Sequence, residues 1–121
     1  MIVEKAHKKL KVWKEAMELV KTVYDVTTTL PSEEKYGLIS QMRRAAVSVP
    51  SNIAEGAARQ SVKESIQYYM IVRGSLSELD TQVELCSSLG LLDSSRVSLV
   101  SAKVTAVDGL LSGLIRFKKG T

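Results

Sequence analysis

Side chains able to do covalent or metal chemistry are few in this sequence, and they stand far apart. There is one histidine, His7, and one cysteine, Cys86. A metal site needs several ligands at close spacing, and no carboxylate–histidine pair supplies them. His7 reads as a solvated side chain. Cys86 falls on an apolar stripe, so it reads as a small buried residue rather than a nucleophile. Gly74 and Gly90 are isolated and no Gly-Lys-Ser/Thr follows them, so a phosphate loop is missing. The serines have no partner base and no nucleophile elbow. Glu55 and Arg59 are four residues apart, the spacing of a surface ion pair within one helix, which contributes little. The expectation is a protein without enzymatic activity, cofactor or metal.

Positive charge is what the sequence does supply. Seventeen Lys and Arg face 13 Asp and Glu, for a net charge of +4 and a pI near 9.3. Lys5, Lys8, Lys9, Lys11 and Lys14 crowd the start, and Arg116, Lys118 and Lys119 the end. Arg59 and Lys63 flank a turn midway; Arg43, Arg44 and Arg73 lie further along the chain. Such an excess favours anionic partners, nucleic acid above all. Contacts of this type go to phosphates and weaken steeply with salt. No base-reading motif is present and aromatics are only 5% of residues, so little sequence preference is expected. The same charges also read as a solubilising surface.

These residues must be positioned by helices. At 121 residues, 45% apolar and 25% charged, the chain is expected to form one globular domain with a real core. A single cysteine excludes an internal disulfide and fits a reducing compartment. The basic N-terminus has no apolar signal core behind it. No uninterrupted apolar run approaches the roughly 20 residues of a membrane span. The expected location is the cytoplasm, off the membrane. Hydrophobic periodicity and turn signals predict helices at about 9–29, 33–58, 62–89 and 94–117. The predicted fold is all-α: an antiparallel up-down-up-down four-helix bundle.

The first helix carries two stripes. One is Leu10, Trp13, Met17, Val20, Tyr24 and Thr27; the other is Val12, Ala16, Leu19, Val23, Val26 and Leu30. In the second helix Ile39, Met42, Ala46, Val49 and Ile53 keep phase straight through Pro50, which predicts one helix kinked near Pro50. Ser32 is its expected cap, and Arg44, Ser48, Ser51 and Glu55 form an opposite polar ridge, read as solvated at Ser48 and Ser51. In the third, Ser61 and Glu64 make a capping box. Ile66, Tyr69, Val72, Leu76, Leu79, Val83 and Cys86 face the core, and Gly90 ends the helix. Asp93 caps the fourth, with Val97, Val100, Val104, Val107, Leu111 and Leu114 inward. Ala102, Ala106, Gly109 and Gly113 form a separate small-residue stripe. Glycine inside a helix costs about 1 kcal/mol against alanine, so two on one stripe point to close approach by another helix.

The stretch SQMRRAAVSVPSNIAEGAAR, residues 40–59, followed by SVKESIQYYMIVRGSLSELDTQVELCSSLGLL, closely resembles the bacterial four helix bundle protein family. That family was first noticed as products of intervening sequences in 23S ribosomal RNA genes. It is similar to the accessory variability determinant of diversity-generating retroelements. The resemblance runs from about Val12 to Leu92, and its specific part is Pro50-Ser51-Asn52-Ile53-Ala54-Glu55-Gly56. It implies the same bundle fold, a homopentamer, and a reverse transcriptase as partner.

The apolar surplus independently predicts a homo-oligomer, because large exposed apolar patches mark contacts. The expected interface is Val12, Ala16, Leu19, Val23 and Val26 on the first helix, Ile71, Leu85 and Leu89 on the third, and Ala102, Ala106, Gly109 and Gly113 on the fourth. Arg44 and Glu55 could pair across it. In an antiparallel bundle the start of helix 1, the turn between helices 2 and 3, and the end of helix 4 share one pole, so that pole is expected to be basic. Two functions fit: an oligomer that binds RNA, DNA or their hybrid with little specificity, or a protein-interaction scaffold without nucleic acid.

Overall fold

The computed structural model describes residues 5–120. Four α-helices carry the fold: α1 Lys11–Thr27, α2 Ser40–Ala57, α3 Val62–Ser88 and α4 Ser94–Lys119. No strand occurs among the described residues. Short 3-10 turns, Ala6–Lys9 and Ser32–Glu34, precede α1 and α2. At 1.5 Å per residue the 27-residue α3 spans about 40 Å.

Each helix packs on its neighbours in sequence, and α1 closes the ring against α4. The pairings fix direction. Along α2 and α3, Gly56 meets Ser65, Ser48 meets Ser75, and Met42 meets Cys86. Arg43 near the start of α2 meets Thr27 at the end of α1. Arg73 of α3 meets Asp108 and Ser112 of α4. Successive helices therefore run in opposite directions. One core joins all four, with Leu19, Met42, Ile53, Tyr69, Leu79 and Leu111 fully buried.

Local chemistry accounts for the ends. Ser61 Oγ accepts the Glu64 N–H at 3.1 Å and Asp93 Oδ1 accepts the Arg96 N–H at 2.8 Å, each satisfying an orphan donor. Gly90, at φ 71°, lets Leu91 N–H reach Cys86 O and Gly90 N–H reach Ser87 O, which closes α3. Thr27 Oγ1 donates to Val23 O, and Arg43 Nε donates to that same hydroxyl at 2.9 Å. The guanidinium also sits over the Tyr24 ring. Arg43 thus braces the frayed, threonine-rich end of α1.

Several expectations need correction. The start of the second helix is not a capped α-helix at Ser32. A π-helical turn, Lys35–Ile39, follows the 3-10 turn, with non-helical backbone at Gly37, and the Glu34 carboxylate accepts the Leu38 N–H. From Ser40 the helix continues through the buried Pro50. Ser48 is not solvated: its hydroxyl lies 2.8 Å from that of Ser75, and the Asn52 amide donates to Ser48 O and Oγ. His7 is half-buried, edge-on to Trp13.

The larger correction concerns α1. Val12, Ala16, Leu19, Val23 and Val26 were expected at an interface between copies, but all are buried in the core of the single chain. The other stripe lies at the rim: Trp13 and Val20 are half-buried, and Met17 and Tyr24 are exposed. Small and aliphatic side chains allow the close approach of a bundle core. Trp and Tyr carry polar atoms that need a partner or water, so they favour the boundary.

Candidate nucleic-acid interface

The fold brings the start of α1, the α2–α3 turn and the end of α4 to one pole. A cavity lined by Leu10, Ala57, Tyr69, Leu114, Phe117 and Lys118 records that meeting directly. Ten of the 17 Lys and Arg residues gather at or near this end: Lys5, Lys8, Lys9, Lys11, Lys14, Arg59, Lys63, Arg116, Lys118 and Lys119. All are exposed except Lys118, which is half-buried. The opposite pole is mixed in charge: Asp25, Glu33, Glu34, Glu84 and Asp93 lie there with Lys35, Arg43, Arg44 and Arg96. Cationic side chains are therefore concentrated at one end of the bundle without a matching acidic end.

Within the pole, Arg59 is partly committed. It donates to Glu55 Oε2 at 2.8 Å and to the Tyr68 hydroxyl at 3.1 Å, and its guanidinium lies over the Tyr68 ring. Glu55 is thereby engaged within its own helix rather than held open for Arg44. The remaining candidate cations do not join the cluster. Arg43 braces α1. Arg44 is exposed near the start of α2, toward the far pole. Arg73 sits midway in the α3–α4 groove, 3.6 Å from Asp108 and bonded to Ser112 at 2.7 Å.

The pattern Pro50–Gly56 has a structural explanation. Pro50 and Ala54 line an apolar groove with Trp13, Met17, Val20 and Val47 of the α1–α2 seam. Asn52 joins the Ser48–Ser75 bridge to α3, Ile53 enters the core, and Glu55 holds Arg59. Gly56 packs under Tyr69, and its carbonyl accepts the Ser65 hydroxyl at 2.7 Å. The pattern clamps α2 to α3 and positions the basic turn beyond it.

Apolar surface remains outside the core on α3 and α4. Ile71 is 50%, Leu85 47% and Leu89 63% exposed. Ala102, Ala106 and Gly109 are exposed and Gly113 half-buried, on the side of α4 away from Val100, Val104, Val107 and Leu111. By length and composition alone α4 is long and apolar enough to cross a membrane, with a window of mean hydropathy 1.4, of which 28% is buried in the chain.

Chemistry at the other candidates is subdued. Cys86 is fully buried, its Sγ 3.7 Å from Met42 Sδ, and burial pushes its thiol pKa up, with the Glu34 charge adding to the shift. No cluster of three metal-ligating side chains occurs among the described residues. Sequence reasoning missed Phe117, 78% exposed at the pole, and the cavity beside it. The available signal was an aromatic residue set between Arg116 and Lys118.

The model of the 23S rRNA-intervening sequence protein family matches residues 8–113, so the chain belongs to that family. The bundle is also similar to the crystal structure of a protein with unknown function from the S23 ribosomal protein family of Bacteroides thetaiotaomicron VPI-5482. The TM-score is 0.80 at 21% identity, over 87% of this chain and 98% of that one, which shows a shared fold. No curated protein matches the chain.

Proposed function

We propose that this member of the 23S rRNA-intervening sequence protein family is a non-enzymatic, oligomeric bundle of the cytoplasm whose basic pole binds nucleic acid with little sequence preference. The observation that carries this reading is the gathering of ten of the 17 cationic side chains at one end of the bundle. Phosphate binding needs no more than this. RNA, DNA and their hybrid all present the required charge.

Self-association would multiply the effect. Copies joined side by side through the exposed Ile71, Leu85 and Leu89 of α3 and Ala106 and Gly109 of α4 would set several basic poles on one surface. Lys103 and Asp108 lie within α4, which favours a protein partner over lipid for that face. The resemblance to the retroelement accessory determinant adds a pentameric assembly and a reverse transcriptase partner, both open to copurification and light scattering.

The test is an electrophoretic shift series against RNA, DNA and hybrid at several salt concentrations. Log affinity should fall linearly with log salt, with a slope near −0.9 per phosphate contacted on a duplex. Changing Lys8, Lys9, Lys11 and Lys118 to Glu should abolish the shift. Affinity indifferent to those changes would overturn the reading and leave a protein-interaction scaffold, which the exposed Ile71, Leu85 and Leu89 independently favour.

A further inference from the structure

We propose that the basic pole takes one unpaired base of a single-stranded nucleic acid, stacked on Phe117 beside the cavity walled by Tyr69, with Lys118 on the adjoining phosphate. The proposal rests on the nucleic-acid reading above and narrows it from any polyanion to a strand with accessible bases.

Two observations converge on the same few residues. Phe117 is a large aromatic left 78% exposed in the last turns of α4, next to Arg116, Lys118 and Lys119. An isolated aromatic among cations is how single strands are held, because every base offers a π face and every linkage a phosphate. Next to it is a cavity of about 150 Å³, walled largely by the apolar side chains of Leu10, Ala57 and Leu114. An apolar cavity of about this size accommodates a benzene ring, so one six-membered ring fits. Tyr69 packs behind that cavity with no exposed surface of its own, a rigid wall rather than a contact.

A nucleobase meets both demands together. It has a flat face for Phe117 and a ring of suitable bulk. Its phosphate lies within reach of a cation-rich helix end. In a duplex the faces are stacked away, so a duplex offers only the phosphates.

The experiment is fluorescence polarisation with three labelled probes of equal length: a single-stranded RNA, an abasic strand of the same charge, and a blunt duplex. The full-length protein should bind the single strand about tenfold more tightly than the abasic strand, the scale of one stacked base. Phe117→Ala, an exposed position, should erase that difference and leave duplex binding unchanged. Equal affinity for single and abasic strands, or a Phe117→Ala variant with undiminished single-strand binding, overturns the proposal while the charge-based reading stands. If no probe binds even at low salt, both readings fall together.

Discussion

Gly56 and Tyr69 occupy one space: a Cβ built on Gly56 would stand inside contact distance of Tyr69 Cε1 and 2.9 Å from its Cδ1. The ring is fully buried between α2 and α3 and cannot swing into solvent. Glycine in a helix normally sacrifices stability, but here the missing side chain is what allows an aromatic to seal the end of the bundle.

Gly56→Ala should therefore destabilise the fold. Alanine gains up to about 1 kcal/mol of helix propensity, while overpacking a rigid site costs about 1–3 kcal/mol, and with the Ser65 carbonyl also 3.1 Å away overpacking wins. The expected net loss is about 1–2 kcal/mol in urea unfolding. Gly74, where an added Cβ meets nothing within 4 Å, is the control and should gain by the same substitution. Repeating Gly56→Ala in a Tyr69→Leu background should reduce its cost, because contacting residues couple.

The helix pattern was legible because periodicity and caps depend on local chemistry. Ser61, Gly90 and Asp93 perform at the ends of α3 and α4 what their types require. The core faces of α3 and α4 followed from single apolar stripes. On α1 two stripes competed, one wholly aliphatic and one with Trp13, Tyr24 and Thr27, and spacing alone does not rank them. The choice fell to side-chain shape and polar tips, so Val12 to Val26 moved from interface to core. The irregular entry to α2 at Gly37 was hidden because Glu33 and Glu34 fit an ordinary first turn equally well. The basic pole followed from topology. That Arg43 and Arg73, already placed away from it, are held by partners far away in sequence did not.

Acid should loosen the start of α4. The Arg96 backbone N–H, and then its guanidinium, hold the Asp93 carboxyl below its ordinary pKa. A depressed folded-state pKa means the contribution is complete above the unfolded value, near pH 3.9, and is lost as pH falls through the folded one. Wild-type protein should therefore lose more stability than Asp93→Asn when urea midpoints are compared between neutral pH and values below about 4. An equal loss would remove Asp93 from the acid response.

Cys86 should be silent in the native state. It is fully buried against Met42 and its thiol pKa is raised, so little reactive thiolate forms and little reagent arrives. Iodoacetamide should label it only as the bundle unfolds, and labelling should track urea unfolding. Rapid native labelling would mean that the α2–α3 seam opens near Met42.

Gly109→Ala tests self-association through a sign. In the single chain a Cβ at Gly109 meets nothing within 4 Å, so an isolated bundle should gain up to about 1 kcal/mol from better helix propensity. If the outer face of α4 lies against a second copy, the added methyl group instead pushes that copy away. The expected outcome is then weaker association, seen as a smaller mass by light scattering at a given concentration, beside a more stable monomer on dilution. Ala106→Leu, on the same exposed stripe, should act in the same direction and more strongly, since it adds a larger side chain to a close contact. A wild-type protein that is monomeric at micromolar concentration would refute the assembly, and both substitutions should then change only the unfolding temperature.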